Sequence, residues 1–155
     1  MPELTPKPMR ASRISIAQLM QPEHANNLGN VHGGWIMKLV DECGALACMR
    51  HAQRRVVTVF MDSMTFHQPI KIGDLVILTA EVTYTGRTSV EAEVHVEAEN
   101  PVTGVKTHTN TAYVVYVALD EIGQPVAIAP VMAENPSEQE RLDAAKLRQA
   151  ARLKK

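Results

Sequence analysis

Between Asn26 and Cys48 the chain passes from a polar loop rich in Asn and Gly into a segment that is apolar almost all the way round a helix: Trp35, Ile36, Met37, Leu39, Val40, Cys43, Ala45, Leu46, Ala47 and Cys48. A helix with no wet face has to be buried. The pattern therefore predicts a central helix over about 32–51, with the rest of the chain wrapped around it. Yet this helix carries an acid, Asp41, and two glycines at its mouth, Gly33 and Gly34. An ionised carboxylate inside a core is costly unless something there uses it.

The rest of the 155-residue sequence limits what can surround that helix. Its length suits one domain with a proper core. A hydrophobic fraction of 45% and a charged fraction of 21% fit a globular protein. A net charge of -1 supplies no global field for nucleic acid or a membrane surface. No stretch is apolar for the roughly 18–20 residues that a bilayer span needs. Met1 to Arg10 holds Pro2, Pro6 and Pro8 and no apolar run, so no signal peptide is expected there. Cys43 and Cys48 share the helix but point to divergent sides, which argues against a disulfide or a shared metal. They read as small apolar filler, and as buried reduced thiols they suggest the cytoplasm.

Around the helix the sequence predicts strands. Residues 1–11 read as a flexible arm, 12–120 as the main domain and 121–155 as an extension with a terminal helix. Alternation predicts a short strand from Ser12 to Met20, ended by Gln21-Pro22-Glu23. Further strands are expected over Val56 to His67, Leu75 to Thr85, Ser89 to Glu99 and Val105 to Leu119. In Ser89 to Glu99, Val90, Ala92, Val94, Val96 and Ala98 face one way, and Glu91, Glu93, His95, Glu97 and Glu99 the other, which implies one dry and one wet face. Ser137 and Glu140 have capping-box spacing, so the terminal helix is expected to start at Ser137. Its apolar face (Leu142, Ala145, Leu147, Leu153) is weak, so loose packing or a neighbouring subunit is expected. The short turns favour antiparallel neighbours. The class is α+β, an antiparallel sheet curled about one long helix. One sheet covers only part of such a helix, so an obligate dimer follows.

That order of elements, with Gly-Asn-Val-His-Gly-Gly at 29–34 and Asp41 shortly after, resembles the hotdog fold. More narrowly it resembles the cytosolic acyl-CoA thioesterases of the brain acyl-CoA hydrolase and YciA type. The resemblance covers about residues 12–120. It also rests on Val56-Val57-Thr58-Val59, Phe66-His67-Gln68-Pro69-Ile70, Ile72-Gly73-Asp74 and Thr85-Gly86-Arg87-Thr88-Ser89. It implies an acyl-CoA substrate and dimers with a continuous sheet, assembled as a hexamer (a trimer of dimers).

Thioester hydrolysis needs an activated water, a place for the oxyanion and a grip on coenzyme A. Asp41 is the candidate base, since no Ser or Cys stands with a His in a recognisable motif. The resemblance implies the same role; direct attack by the carboxylate is the other possibility. A purely structural Asp41, pinned by backbone or by Lys38, is the competing explanation, whereas Glu42 has the spacing to pair with Lys38. Gly34, with Gly33, offers N–H groups at the helix mouth and is expected to form the oxyanion hole. A glycine pair that only permits a tight turn is the plainer explanation. The resemblance makes Asn26 the second catalytic residue, with Asn27 and Asn30 as competitors. His32 is expected at the helix mouth as a packing, hydrogen-bonding and substrate-contacting residue. Arg87, Thr88, Ser89 and Gly86 are expected to bind the coenzyme A phosphates, with Arg54, Arg55, Lys71 and Lys106 in reserve. Met37, Met61 and Met64 are candidates to line an acyl tunnel.

Asp41 lies roughly 10 Å along the helix axis from Gly34. A base and an oxyanion hole must both lie close to one carbonyl. Asp41 of one subunit is therefore expected to work with Asn26 and the Gly34 N–H of another. No metal site is expected from the histidine spacing, and no cofactor beyond the coenzyme A of the substrate. A non-catalytic acyl-CoA sensor on the same fold is the alternative, although no segment has room for a DNA-binding helix-turn-helix. A hotdog dehydratase would need a histidine beside the helix acid, and His51 is too far along the axis.

Overall fold

In the computed structural model, which describes residues 4–62, 64–66 and 68–154, one long helix lies in the hollow of a curled antiparallel sheet. The strands are β1 (Lys7–Pro8), β2 (Ile14–Leu19), β3 (Arg55–Met61), β4 (Leu75–Thr85), β5 (Ser89–Glu99), β6 (Lys106–Leu119) and β7 (Val131–Met132). The helices are α1 (Gly33–Ala52) and α2 (Pro136–Leu153). The main sheet has the order β2-β4-β5-β6-β3, so the strands flanking α1 in sequence form its two edges. Val76, Leu78, Ala80 and Val82 of β4, Val90 to Val96 on alternate positions of β5, and Ala112, Val114, Tyr116 and Ala118 of β6 make the inner face. They pack on Ile36, Leu39, Val40, Cys43, Ala47 and Cys48 of α1.

That buried set is one stripe of α1. The opposite side is open: Met37 is 43% exposed and Leu46 38%, and Lys38 and Glu42 pair across it at 2.8 Å. The helix is apolar all round in sequence but covered on one side only. Next to the bare strip, Val57 and Val59 of the edge strand β3 are also exposed. Both cysteines are buried and free, and burial pushes the Cys43 thiol up to about 11.

The structure departs from the sequence expectations at four places. Lys7–Pro8 is not a loose arm: it pairs in parallel with Val131–Met132, and Met9 is fully buried beneath it. Met1, Pro2 and Glu3 lie outside the described residues. Strand β3 stops at Met61, because the chain then turns so that Phe66, Gln68, Pro69 and Ile70 wall a cavity beside the mouth of α1; Ser63 and His67 are outside the described residues. Helix α2 begins one residue early, at Pro136, capped by Asn135, whose Oδ1 accepts the Glu138 N–H at 2.8 Å. Pro136 at the first helical position is pre-set for that register.

The fourth departure is the wet face of β5. Glu91 has no exposed surface and Glu93 is nearly buried, because α2 lies over them. Helix α2 docks through arginines as well as apolar residues: Ala145 is fully buried and Leu142 packs against the core. Arg148 forks onto Glu91 at 2.8 and 3.1 Å while stacking 3.6 Å over the Tyr113 ring. Arg152 bridges Glu91 and Asp62, and Arg141 bridges Glu81 and Glu93. Burial works against the charge on each arginine, but the bonds to these carboxylates outweigh it and raise all three. Leu147 and Leu153, expected on the packing face, point to solvent.

Candidate active site

Asp41 sits midway along α1, at the border of the uncovered strip, and is half-buried within one chain. Its Oδ1 accepts the Thr58 hydroxyl of β3 at 2.7 Å. The Tyr116 hydroxyl of β6 reaches it from the other side, 3.1 Å from the same Oδ1 and 2.8 Å from the Asp41 carbonyl oxygen. Lys38, the expected structural partner, is engaged with Glu42 instead. The Thr58 proton and a share of the Tyr116 proton, which the Asp41 carbonyl also accepts, orient the carboxylate, which is how a base is held in place. Sequence reasoning missed both. Each reads as an ordinary strand residue, and its role depends on which strand lies over the helix.

Asn26 and Gly33 come together at the mouth of α1, in a cavity of about 300 Å³ that Asn30, Phe66 and Pro69 also line. Asn26 Oδ1 accepts the N–H groups of Leu28 and Asn30 at 2.9 and 3.2 Å, the Asx-turn geometry that shapes the loop. That leaves its NH2 as the polar end with no partner among the described residues. Gly33 opens onto the cavity with the Phe66 ring against it; a Cβ there would stand 3.4 Å from that ring. As the first residue of the helix, its N–H is outside the helical ladder.

Gly34 behaves differently from expectation. Its N–H donates to His32 Nδ1 at 3.0 Å, because His32 is the N-cap of α1. Of the two glycines, Gly33 has the amide with no partner among the described residues. His32 is thus a capping residue on an exposed shoulder, and the stacking at the helix mouth is made by His24 and Trp35, whose rings are 4.2 Å apart.

The Gly86 turn joins β4 to β5 at the far end of α1. Its backbone is largely used. The Gly86 N–H donates to the Ser89 carbonyl at 2.9 Å, the Thr88 carbonyl accepts from Ala118, and the Arg87 carbonyl from Ile128. A side chain at 86 would strike Ser89 Oγ, so glycine keeps this turn tight. The Arg87 side chain is exposed and, with Lys7 and Arg54, lines a cavity of about 490 Å³ whose other walls are Ala52 and the segment from Pro125 to Ala129. Of the reserve cations only Arg54 is brought to Arg87, where it also pairs with Glu121 at 3.2 Å. Arg55 donates to the carbonyls of Asp120 and Glu121, Lys106 faces Glu99, and Lys71 lies at the opposite end near Asn30. Ala52 is about 16 Å along the helix axis from Asp41 at 1.5 Å per residue.

The expected site residues therefore fall in three places on one chain: the Asn26–Gly33 cavity, Asp41 mid-helix, and the Arg87 cavity. Met61 and Met64 pack against the core, while Met37 is on the uncovered strip. His51, fully buried, bonds the Ala129 carbonyl at 2.7 Å and stands well away from Asp41, which removes the histidine a dehydratase would need. No group of three or more possible metal ligands occurs among the described residues.

Residues 28–105 match the model of the thioesterase superfamily. The cytosolic acyl coenzyme A thioester hydrolase of Mus musculus is 36% identical over 127 residues, covering 77% of this chain and 33% of the mouse protein. The chain thus spans about a third of the length of that relative. An apo-hexameric acyl-CoA thioesterase superposes with a TM-score of 0.91 at 35% identity, covering 97% of this chain and 96% of the other. The acyl-CoA hydrolase of Staphylococcus aureus, in complex with butyryl coenzyme A, coenzyme A and coenzyme A disulfide, superposes with a TM-score of 0.85 at 31% identity, covering 96% and 93%. With a curled sheet around one helix, and an acid on that helix, the chain belongs to the thioesterase superfamily, in its group of hotdog-fold acyl-CoA thioesterases.

Proposed function

We propose that this chain hydrolyses acyl-CoA thioesters to a free acid and coenzyme A, with Asp41 activating the attacking water at a site completed by a second copy of the chain. The observation that carries this reading is the Asp41 carboxylate, held by two hydroxyls on the uncovered strip of a central helix. Water adds to the thioester carbonyl and gives its proton to Asp41; the C–S bond then breaks, and the leaving thiolate takes the proton. The Asn26 NH2 and the Gly33 N–H of the partner are the donors for the oxyanion. The Gly34 N–H joins them only if His32 releases it. Support comes from the S. aureus hydrolase, for which Asn-to-Ala, Asp-to-Ala and Thr-to-Ala variants were characterised. Those residues are separated by 15 and 17 positions, as Asn26, Asp41 and Thr58 are here.

Arg87, with Thr88, Ser89 and the Gly86 turn, is the proposed grip on the nucleotide, and Arg54 and Lys7 add charge to the same cavity. The reach fits: the pantetheine arm spans about 16 Å at ordinary bond lengths, like the helical distance from Asp41 to that cavity. Hexameric relatives support an assembly of dimers, and the mammalian relative's name together with two buried free thiols supports a cytosolic setting.

Free-thiol release measured across an acyl-CoA series tests the reading. The chain is expected to turn over at least one chain length, and Asp41→Ala to lose about 10²–10⁴-fold, the usual worth of a positioned base. Turnover by Asp41→Ala at the parent rate would refute it.

A further inference from the structure

Tyr116 stands in the dry face of β6, between Val114 and Ala118, with no surface open to solvent. A tyrosine buried there places a hydroxyl under α1 that must find a partner. It finds Asp41, whose backbone carbonyl at 2.8 Å and Oδ1 at 3.1 Å share its one proton. The helix is cut away to allow this. At Gly44, a Cβ would lie 2.6 Å from the Tyr116 hydroxyl oxygen but 3.4 Å from the nearest ring carbons. A side chain at 44 would collide with the hydroxyl and merely touch the ring. The glycine therefore makes room for the hydroxyl, not for the ring.

Thr58 donates to the same Oδ1 from β3. Oδ1 thus accepts the Thr58 proton and shares the single Tyr116 proton with the Asp41 carbonyl, and Oδ2 has no donor among the described residues. An aspartate's terminal torsion is broad and two-fold, so an unanchored carboxylate samples a range of angles. We infer that Tyr116 is a positioning residue for the hydrolysis: with Thr58 it fixes Oδ1, so that Oδ2 alone faces the reacting water. The inference rests on the reading of Asp41 as the base. Burial, with the nearby Cys48 and Asp41, pushes the phenol far upward, so it stays a donor.

Steady-state kinetics and thermal melting of the full chain test this with Tyr116→Phe, Gly44→Ala and the two combined. Tyr116→Phe is expected to lower kcat about tenfold, the scale of a misaligned catalytic group, and to leave KM within about twofold. Gly44→Ala should lower kcat alike and also lower the Tm. The combined variant should regain Tm relative to Gly44→Ala, because the added methyl then meets only the ring, while kcat stays low. A merely structural tyrosine would move KM and Tm together with kcat. Should Tyr116→Phe not fold, Gly44→Ala still displaces the hydroxyl with the ring in place. An active parent with unchanged kcat in Tyr116→Phe overturns the inference, as does a combined variant melting no higher than Gly44→Ala. A parent inactive on every acyl-CoA defeats the thioesterase reading, and the positioning role falls with it, whereas the Tm comparison still reports on the Gly44–Tyr116 contact.

Discussion

At the scale of single residues, the groups that stood out in the sequence did so by conflict with their surroundings. Asp41 is an acid in an apolar helix and Gly33 and Gly34 open that helix, whereas Asn26, in an Asn-rich loop, stood out only through the family resemblance. Thr58 and Tyr116 gave no such conflict, because both are good strand formers and their roles depend on which strand lies over the helix. Hydrogen-bond competition at the helix mouth was hidden for the same reason: that His32 would take the Gly34 N–H follows from cap geometry, not from spacing. His51 supplies a prediction at this scale. It is buried with Nδ1 unpaired, and burial lowers its pKa, with the Lys7 charge adding to that. The unfolded chain then binds this proton first as pH falls through about 6.5. Stability from the neutral His51 is complete above that pH and is lost below it. Melting curves from pH 8 to pH 5 should show the parent losing a few degrees relative to His51→Gln; parallel curves for the two would contradict this.

At the scale of elements, α2 is the part whose packing the sequence concealed. Alternation along β5 marks Glu91 and Glu93 as the wet side of a strand, and nothing local says that a distant helix brings arginines to them. The pairing becomes visible only when the charges of both elements are matched in space. Glu91 now accepts from Thr83, Arg148 and Arg152 with no water contact. Removing one partner of a buried pair leaves a charge short of compensation. Arg148→Ala should therefore cost about 2–4 kcal/mol in urea unfolding, reduced from the full buried-pair figure because Arg152 remains. It should also raise hydrogen exchange along α2; a change below about 0.5 kcal/mol would mean the helix is held by something else. The β4 and β5 limits, by contrast, coincide with the sequence reading, since their alternation and their turn residues point to the same ends.

At the scale of the whole molecule, the curled sheet and central helix were legible because an all-apolar helix admits few alternatives. What one chain leaves uncovered is a strip of α1 with Met37 and Leu46 exposed, beside the exposed Val57 and Val59 of an edge strand. Exposed apolar edges of this kind are seldom left unpaired. On that strip stands the half-exposed Asp41, roughly 12 Å in helical rise from the Gly33 end of its own chain. A base and its oxyanion donors cannot be that far apart across one carbonyl. The central claim is that two copies build each site. The direct measurement is to mix Asp41→Ala and Asn26→Ala subunits, each inactive alone, let them exchange, and assay acyl-CoA hydrolysis. A shared site predicts recovery of about a quarter of parental activity per chain, since random pairing makes half the dimers mixed and each mixed dimer holds one intact site of two. Full exchange with no recovery would contradict it.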